Sequence, residues 1–270
     1  MPDRSASKTK AGVTAEAIKV QLRALHALIV REMMMRYGRD NIGFLWVVLE
    51  PMILTAGVLV LWSAIRAPYE HGVHVISLVM TGYMPLTLWR HITQAGIHAF
   101  RRSMSLLYHR HITLLDAFLA RVILEFAGTT AALIIVYLVL LAAGLVSAFH
   151  DPGLALLGWV SMGVLSVGVA ACIAVMTEYS EAMEKFIQPF QYFMLPLSGC
   201  FFMVEWLPYD VQQLALLNPS VHCYEMVRAG LFGEGVATHY TVWYPALFGA
   251  VLLAIGLSRF EAVRDRLHTG

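Results

Sequence analysis

Residues Phe126 to Val146 read FAGTTAALIIVYLVLLAAGLV, a run without aspartate, glutamate, lysine or arginine. A helix needs about 20 predominantly apolar residues to cross the hydrocarbon core of a bilayer, and this run is long enough. Three more uncharged runs of comparable length follow, at 152–176, 186–204 and 240–258. The sequence therefore predicts an all-α protein that crosses a membrane several times.

Composition agrees with a membrane protein. Of the 270 residues, 59% are hydrophobic and 14% are charged, whereas about 25% of the residues of a soluble domain are charged. The net charge of +1 gives no sign of a nucleic-acid partner. The cysteines Cys172, Cys200 and Cys223 are far apart, and His109 and His111 have no third ligand nearby, so we predict neither a disulfide framework nor a metal site.

Two weaker runs complete the set of spans: 42–65, which contains Glu50 and Pro51, and 73–89, which contains Pro85. We predict six spans, at about 42–65, 73–89, 119–147, 152–176, 186–204 and 240–258. With both termini in the cytoplasm, only Arg66 and Arg228 of the 19 lysines and arginines fall on the outer side. That distribution follows the positive-inside rule.

The predicted membrane domain is 42–258, between an N-terminal segment 1–41 and a cytoplasmic tail 259–270. Apolar residues recur every three or four positions in the N-terminal segment, at Ile18, Leu22, Leu25, Ile29 and Met33. This spacing predicts an amphipathic helix, which lies at the membrane interface or, alternatively, packs on another protein as a soluble helix.

The segment 206–235 is too interrupted to span, because Pro208, Asn218 and Pro219 and several glycines divide it into pieces of about ten residues, each about 15 Å long. We predict a re-entrant helical hairpin on the outer side, with an ordinary surface loop as the alternative.

Within the spans, Glu50 and Pro51 are candidates for the transport path or for a hinge. The alternative for Glu50 is an ion pair with an arginine that only joins two helices. Phe190, Phe193 and Phe201 fall near one face of the fifth span and are candidates to line a glycan path. Ordinary packing is the alternative, since aromatic side chains bury a large area anywhere.

In the outer hairpin, the candidate gate residues are Asn218, Pro219, Glu225 and Arg228, because a helix N-terminus and a cation there can meet an anionic polymer terminus. A local pair between Glu225 and Arg228, three residues apart, is the competing explanation.

No GxxxxGK[ST], HExxH or GxSxG motif is present, which disfavours an ATPase and an enzyme. We expect no cofactor in this chain, and ATP would be handled by a separate subunit docked on the cytoplasmic loop 90–118. Arg101, Arg102 and Arg110 in this loop are candidate ATPase contacts, with simple membrane anchoring of the loop as the alternative.

Three groups of residues resemble ABC-2 type permeases that export capsular polysaccharide, such as the polysialic acid and group 2 capsule exporters. They are REMMMRYGR, GFLW and LEP at 31–51, LYHR and DAFLAR at 107–121, and NPSVH at 218–222 followed by Tyr224 and Glu225. This chain has no proline at 111–116, where the family often has one.

The resemblance implies a homodimer of six-span subunits in the bacterial inner membrane, with both termini cytoplasmic, above an ABC ATPase dimer that binds ATP and magnesium. A lipid-linked polysaccharide would move through a canal between the protomers. It also implies an interfacial helix in contact with membrane lipids, a coupling helix after the second span, periplasmic re-entrant helices, a periplasmic co-polymerase and an outer-membrane export protein. O-antigen or teichoic-acid export, drug or lipid export, and an intramembrane enzyme acting on lipid-linked sugars remain alternatives.

Overall fold

The computed structural model describes residues 4–37, 42–97, 99–100 and 113–263. Its helices are α1 Arg4–Tyr37, α2 Ile42–Ile65, α3 Val75–Gly96, α4 Leu114–Ala142, α5 Pro152–Tyr179, α6 Glu181–Leu197, α7 Tyr209–Ala215, α8 Pro219–Phe232 and α9 Tyr244–Leu257. Two antiparallel strands, β1 Tyr69–Glu70 and β2 Val73–His74, form a short hairpin before α3. Single turns of 3₁₀ helix occur at Val204–Trp206 and Gly233–Gly235.

Four helical segments are long and apolar enough to cross a membrane: Leu45–Ile65, Leu114–Ala142, Pro152–Tyr179 and Tyr244–Val263. They correspond to the predicted first, third, fourth and sixth spans. The predicted second and fifth spans correspond to α3 and α6, which are not among these four in the described part of the chain. The count of six spans therefore stays a prediction.

Helix α3 lies at the centre of the bundle, where it packs against α2, α4, α5 and α8. Most of its residues are buried in protein. Its threonine hydroxyl groups are satisfied within the helix, since Thr81, Thr87 and Thr93 each donate to a backbone carbonyl one turn earlier. A helix surrounded by protein needs no uniformly apolar surface, which is why the sequence predicts α3 as a span only weakly.

Helix α5 approaches α9 closely because glycines face each other across the contact. A Cβ atom placed on Gly168 would lie 2.2 Å from the carbonyl oxygen of Gly249. A Cβ atom on Gly249 would lie 2.6 Å from the Cα atom of Leu165. Small residues at such positions allow two helix backbones to pack tightly within a membrane protein.

Two helix starts are fixed by side-chain caps. Thr113 and Asp116 form a reciprocal capping box at the start of α4. Asp151 accepts a hydrogen bond from the backbone nitrogen of Leu154 at 3.0 Å, and Pro152 occupies the first turn of α5. These caps set where the two longest of the predicted spans begin.

Helix α1 packs against the beginning of α4 and against α2. Leu28 of α1 is buried in this contact, and Gln21 donates a hydrogen bond to Asp116. Of the predicted apolar stripe, Leu25 and Ile29 are half-buried, whereas Leu22 is exposed. One side of α1 thus packs against α2 and α4 of the same chain. The position of α1 at the membrane interface stays a prediction.

Candidate functional site: three cavities along helix α3

A first cavity of about 460 Å³ lies between α1, α3 and α4 and is called here the charged cavity. Its polar lining consists of Glu32, His91, Gln94, Arg121 and Glu125. Arg121 Nε lies 2.8 Å from Glu32 Oε1, and His91 Nδ1 lies 3.2 Å from Glu125 Oε2. The carboxylates of the charged cavity therefore already have basic partners, and these contacts connect α1 and α3 to α4.

A second, smaller cavity of about 50 Å³ lies between α3 and α6 and is called here the amide cavity. It is lined by Arg90, Gln94, Gln188, Gln191, Tyr192 and Leu195. Gln191 Nε2 donates to Thr93 Oγ1 at 2.9 Å, which fixes α6 against α3. The guanidinium carbon of Arg90 lies 5.8 Å from the ring centroid of Tyr192, within the range of a cation–π contact.

A third cavity of about 290 Å³, called here the apolar groove, lies between α3, α5, α6, α8 and α9. Aromatic and aliphatic side chains form most of its wall, among them Trp89, Phe190 and Leu195. Asn218 and Pro219 also line it. The structure thus brings a candidate for the glycan path, Phe190, together with two candidate gate residues.

The three cavities follow one another along α3, and neighbouring cavities share a lining residue. Gln94 lines both the charged cavity and the amide cavity, and Leu195 lines both the amide cavity and the apolar groove. Polarity falls along this line, from ion pairs to neutral amides with one arginine and then to an apolar wall. Such a line can accommodate an amphipathic molecule whose polar and apolar parts bind at different levels.

Helix α8 points its first residues towards the middle of the bundle. Cβ atoms placed on Gly230 and Gly158 would meet Ala155 and Met226 respectively, so α8 runs antiparallel to α5. Pro219 lines the apolar groove together with Leu165, which lies 13 residues into α5, about 20 Å along its axis. The start of α8 therefore lies beside α5 about 20 Å from the Pro152 end of that helix.

The start of α8 is held to the end of α6 by Asn218. Its side-chain oxygen accepts a hydrogen bond from the backbone nitrogen of Ser220 at 3.1 Å and caps α8. Its amide nitrogen donates to the carbonyl oxygen of Leu197 at 3.0 Å, and Ser220 Oγ donates to the carbonyl oxygen of Ser198 at 3.1 Å. Any movement of Asn218 must therefore also move the end of α6 or break these bonds.

Glu225 and Arg228 face the interior of the protein, and both side chains are 0% exposed. The guanidinium group donates to the carbonyl oxygens of Gly199 at 2.8 Å, Cys200 at 2.7 Å and Phe202. It lies 3.7 Å from Glu225, so the local pair weighed from the sequence is present. In this conformation, the guanidinium group of Arg228 binds the backbone of the loop after α6 and is not exposed at the protein surface.

The same pair ties distant parts of the chain together. Glu225 accepts hydrogen bonds from the backbone nitrogens of Val204 at 3.3 Å and His239 at 3.0 Å. Burial raises the pKa of the Glu225 carboxyl, and the neighbouring Arg228 opposes this rise. Burial lowers the pKa of Arg228, which nevertheless stays protonated as guanidinium groups do in proteins. Burying both charges costs desolvation free energy. In return, their hydrogen bonds fix one arrangement of the loop that follows α6.

The predicted aromatic stripe divides into two parts. Phe190 and Phe193 lie on an exposed face of α6, with exposed fractions of 43% and 66%. Helix α6 ends at Leu197, so Phe201 is not on it. Phe201 stacks instead on Trp62 of α2, with ring centroids 5.3 Å apart. The helix ends at Leu197, one residue after Pro196. Two residues later, Gly199 has a φ of +90°, which lies outside the helical region, so the helix cannot continue to Phe201.

Glu50 is partly buried in α2, and within the described ranges no ion pair joins it to a basic residue. Pro51 lies inside the same helix and provides no backbone donor to Val47. A Cβ atom on Gly128 of α4 would lie 3.4 Å from the Val47 carbonyl oxygen, so α4 packs closely at this point. The role of Glu50 and Pro51 as path or hinge stays a prediction.

The candidate ATPase contacts Arg101, Arg102 and Arg110 lie outside the described residues. The residues that sequence reasoning missed are Trp89, Arg90, Gln188, Gln191 and Tyr192 of the amide cavity and its surroundings. A signal existed for them, because Arg90 and Gln94 are four residues apart and Gln188, Gln191 and Tyr192 recur at three and four. Polar residues at helical spacing within a span indicate a face that contacts protein or water.

Long apolar helices around a connected line of polar and apolar cavities are the architecture of a membrane transport protein. Comparison with known proteins makes this specific, since the family model described as ABC-2 type transporter matches residues 23–232. The chain belongs to this family.

Similar proteins of known role match nearly the whole chain. It is 39% identical over 243 residues to the capsule polysaccharide export inner-membrane protein CtrC of Neisseria meningitidis serogroup B, which is 90% of this chain and 92% of that protein. It is 34% identical over 242 residues to the capsule polysaccharide export inner-membrane protein BexB of Haemophilus influenzae, covering 90% and 91%. The polysialic acid transport protein KpsM of Escherichia coli is 26% identical over 258 residues, covering 93% and 97%.

Proposed function

We propose that this chain is the membrane-spanning permease subunit of an ATP-driven ABC exporter that moves a lipid-linked capsular polysaccharide across the inner membrane. The observation that carries the proposal is the similarity to CtrC along 90% of the chain. The permease performs no covalent chemistry, and a separate ATPase subunit hydrolyses ATP. In this proposal the Gly96 end of α3 faces the cytoplasm and the Val75 end faces the periplasm.

The proposed working unit is a homodimer with six spans in each protomer and an ATPase dimer on the cytoplasmic side. Phe190 and Phe193 on α6 support a path along this helix, because sugar rings stack well on aromatic faces and both rings are partly exposed, by 43% and 66%. The deep position of Pro219 supports a hairpin that enters the membrane from the periplasmic side. Asn218 and Pro219 would then gate the upper end of the path.

A deletion strain tests the function directly. Cells without this permease should accumulate polysaccharide inside and lose surface capsule, and the intact gene should restore it. Normal surface capsule in the deletion strain would refute the proposal. Copurification from membranes tests the ATPase partner, and charge reversal at Arg101, Arg102 and Arg110 should abolish it while the permease still inserts. Retained complex and transport would leave these arginines only an anchoring role.

A further inference from the structure

Arg90 is a cation within the helix bundle without an acidic partner in the described part of the chain. It lies 15 residues after Val75 and six before Gly96, which places it about 22 Å and 9 Å from the two ends of α3. Its side chain is partly buried. No carboxylate among the described residues forms an ion pair with it. An unmatched charge at such a position is costly and marks a functional site.

The surroundings of Arg90 favour an anion. Among its described residues, the lining of the amide cavity includes the side chains of Gln94, Gln188 and Gln191 and no carboxylate. Amide groups supply neutral N–H donors, and a guanidinium group binds the oxygens of phosphate or carboxylate in pairs. Gln191 is already oriented by its bond to Thr93. The described lining therefore offers donors for an oxyanion and carries no negative charge that would repel it.

The size and neighbourhood of the amide cavity narrow the choice of ligand. Its volume is about 50 Å³, and one water needs about 10–15 Å³, so about four oxygen-sized atoms fit. The apolar groove begins at the shared residue Leu195 and has Trp89 in its wall. Tyr192, on the other side, is 63% exposed and leaves the cavity open. An anionic group bound here would have an apolar chain beside it.

We propose that Arg90, with Gln94 and Gln188, binds the phosphate group of an amphipathic lipid whose apolar part lies in the apolar groove. The phosphate belongs either to a bilayer phospholipid or to the lipid terminus of the exported glycan. The second source rests on the proposed export function, and the first does not. In the second case the site selects the lipid end of the substrate before the sugar chain enters the path.

The test uses the full-length protein in phosphatidylcholine nanodiscs and reads the fluorescence of Trp89 next to the site. A Trp89→Phe protein supplies the background to subtract. Phosphatidylglycerol with brominated acyl chains is titrated as one probe, and lipid-linked glycan extracted from membranes of the deletion strain competes with it as the second. The third probe is glycan freed from its lipid, which is tested as a competitor in the same way.

Brominated phosphatidylglycerol should quench Trp89, and Arg90→Gln should weaken its binding tenfold or more, as expected for loss of a charged hydrogen-bonded pair. The affinity of Arg90→Lys should lie between those of the wild type and Arg90→Gln, because lysine keeps the positive charge but lacks the planar pair of N–H donors of a guanidinium group. Arg259→Gln, which removes an exposed cation just after the end of α9, should bind as the wild type does. Thermal unfolding of each variant separates lost binding from lost folding. Gln188→Leu leaves Arg90 in place and should also weaken binding. This variant replaces Arg90→Gln in the test if Arg90→Gln is unstable.

Competition by intact lipid-linked glycan at lower concentration than unlabelled phosphatidylglycerol would assign the site to the substrate, and the reverse order would assign it to bilayer lipid. Equal binding to wild type and to Arg90→Gln would overturn the proposal. So would competition by the lipid-free glycan as strong as that by the lipid-linked form, since the site would then recognise sugar acids. The titration with brominated phosphatidylglycerol needs only purified protein and pure lipid, so its result stands apart from the capsule phenotype of the deletion strain. Only the competition with glycan needs material from that strain.

Discussion

Replacing Arg228 by methionine tests whether the buried guanidinium group holds the loop after α6. The change removes its donors to the carbonyl oxygens of Gly199, Cys200 and Phe202, and it leaves Glu225 buried without its cation. Breaking one side of a buried ion pair costs about 3–5 kcal/mol. One kcal/mol shifts the Tm of a domain of about 200 residues by about 2–4 °C, so we expect a decrease of roughly 6–20 °C.

The double variant Arg228→Met with Glu225→Gln should recover part of this loss. It removes the unmatched carboxylate, and the one side-chain oxygen of glutamine can still accept a hydrogen bond from the backbone nitrogen of either Val204 or His239, so one of these two bonds is kept. The changes in the free energy of unfolding caused by the two substitutions should therefore differ from additivity by more than about 0.5 kcal/mol, as expected for residues in contact. Arg259→Met, at an exposed position, is the matched control and should leave the Tm near that of the wild type.

Thermal unfolding of the detergent-purified protein, followed by circular dichroism, measures these shifts. A Tm of Arg228→Met within about 2 °C of the control would refute the reasoning, because three carbonyl contacts and an ion pair would then contribute almost nothing. Strictly additive effects of the two substitutions would show that the carboxylate and the guanidinium group do not act as a pair.

Three further predictions concern helix packing and the hairpin. Gly168→Ala should lower the Tm, because its Cβ would lie 2.2 Å from a backbone oxygen, whereas Gly57→Ala in open space should keep or raise it. Asn218→Ala should cost about 1 kcal/mol through its lost cap and should increase labelling of a cysteine placed at Ser220. Gln191→Leu should loosen α6 from α3, seen as faster amide exchange in α6; unchanged exchange would mean that the bond to Thr93 does not hold the two helices together.

How far the sequence predicts the fold depends on what each helix contacts. The uncharged run 152–176 begins with α5 at Pro152, because the cap and the proline are local signals that act before any packing. The run 186–204 extends past the end of α6 at Leu197, since an uncharged stretch does not reveal where a helix breaks. Local chemistry therefore predicts helix starts better than it predicts interruptions within apolar sequence.

The candidate site was predictable only in part, because it is formed by tertiary contacts. Phe190 was found as an aromatic residue on a span, but its neighbours Asn218 and Pro219 came from a separate segment and a separate hypothesis. Arg90 was counted only as a positive charge at a membrane boundary. Its importance arises from Gln188 and Tyr192, which lie about a hundred residues later and meet it only after α6 packs on α3.

The buried position of α3 also bears on how the chain is made. If α3 crosses the bilayer, as six spans require, its hydroxyl groups and Arg90 make it a poor substrate for lateral release into lipid by the translocon. It would be retained, or would wait at the lipid boundary, until α4 and α5 have been synthesised and offer a protein surface. Biogenesis of this subunit would then be cooperative, with the central helix among the last to reach its final surroundings although it is among the first to be translated.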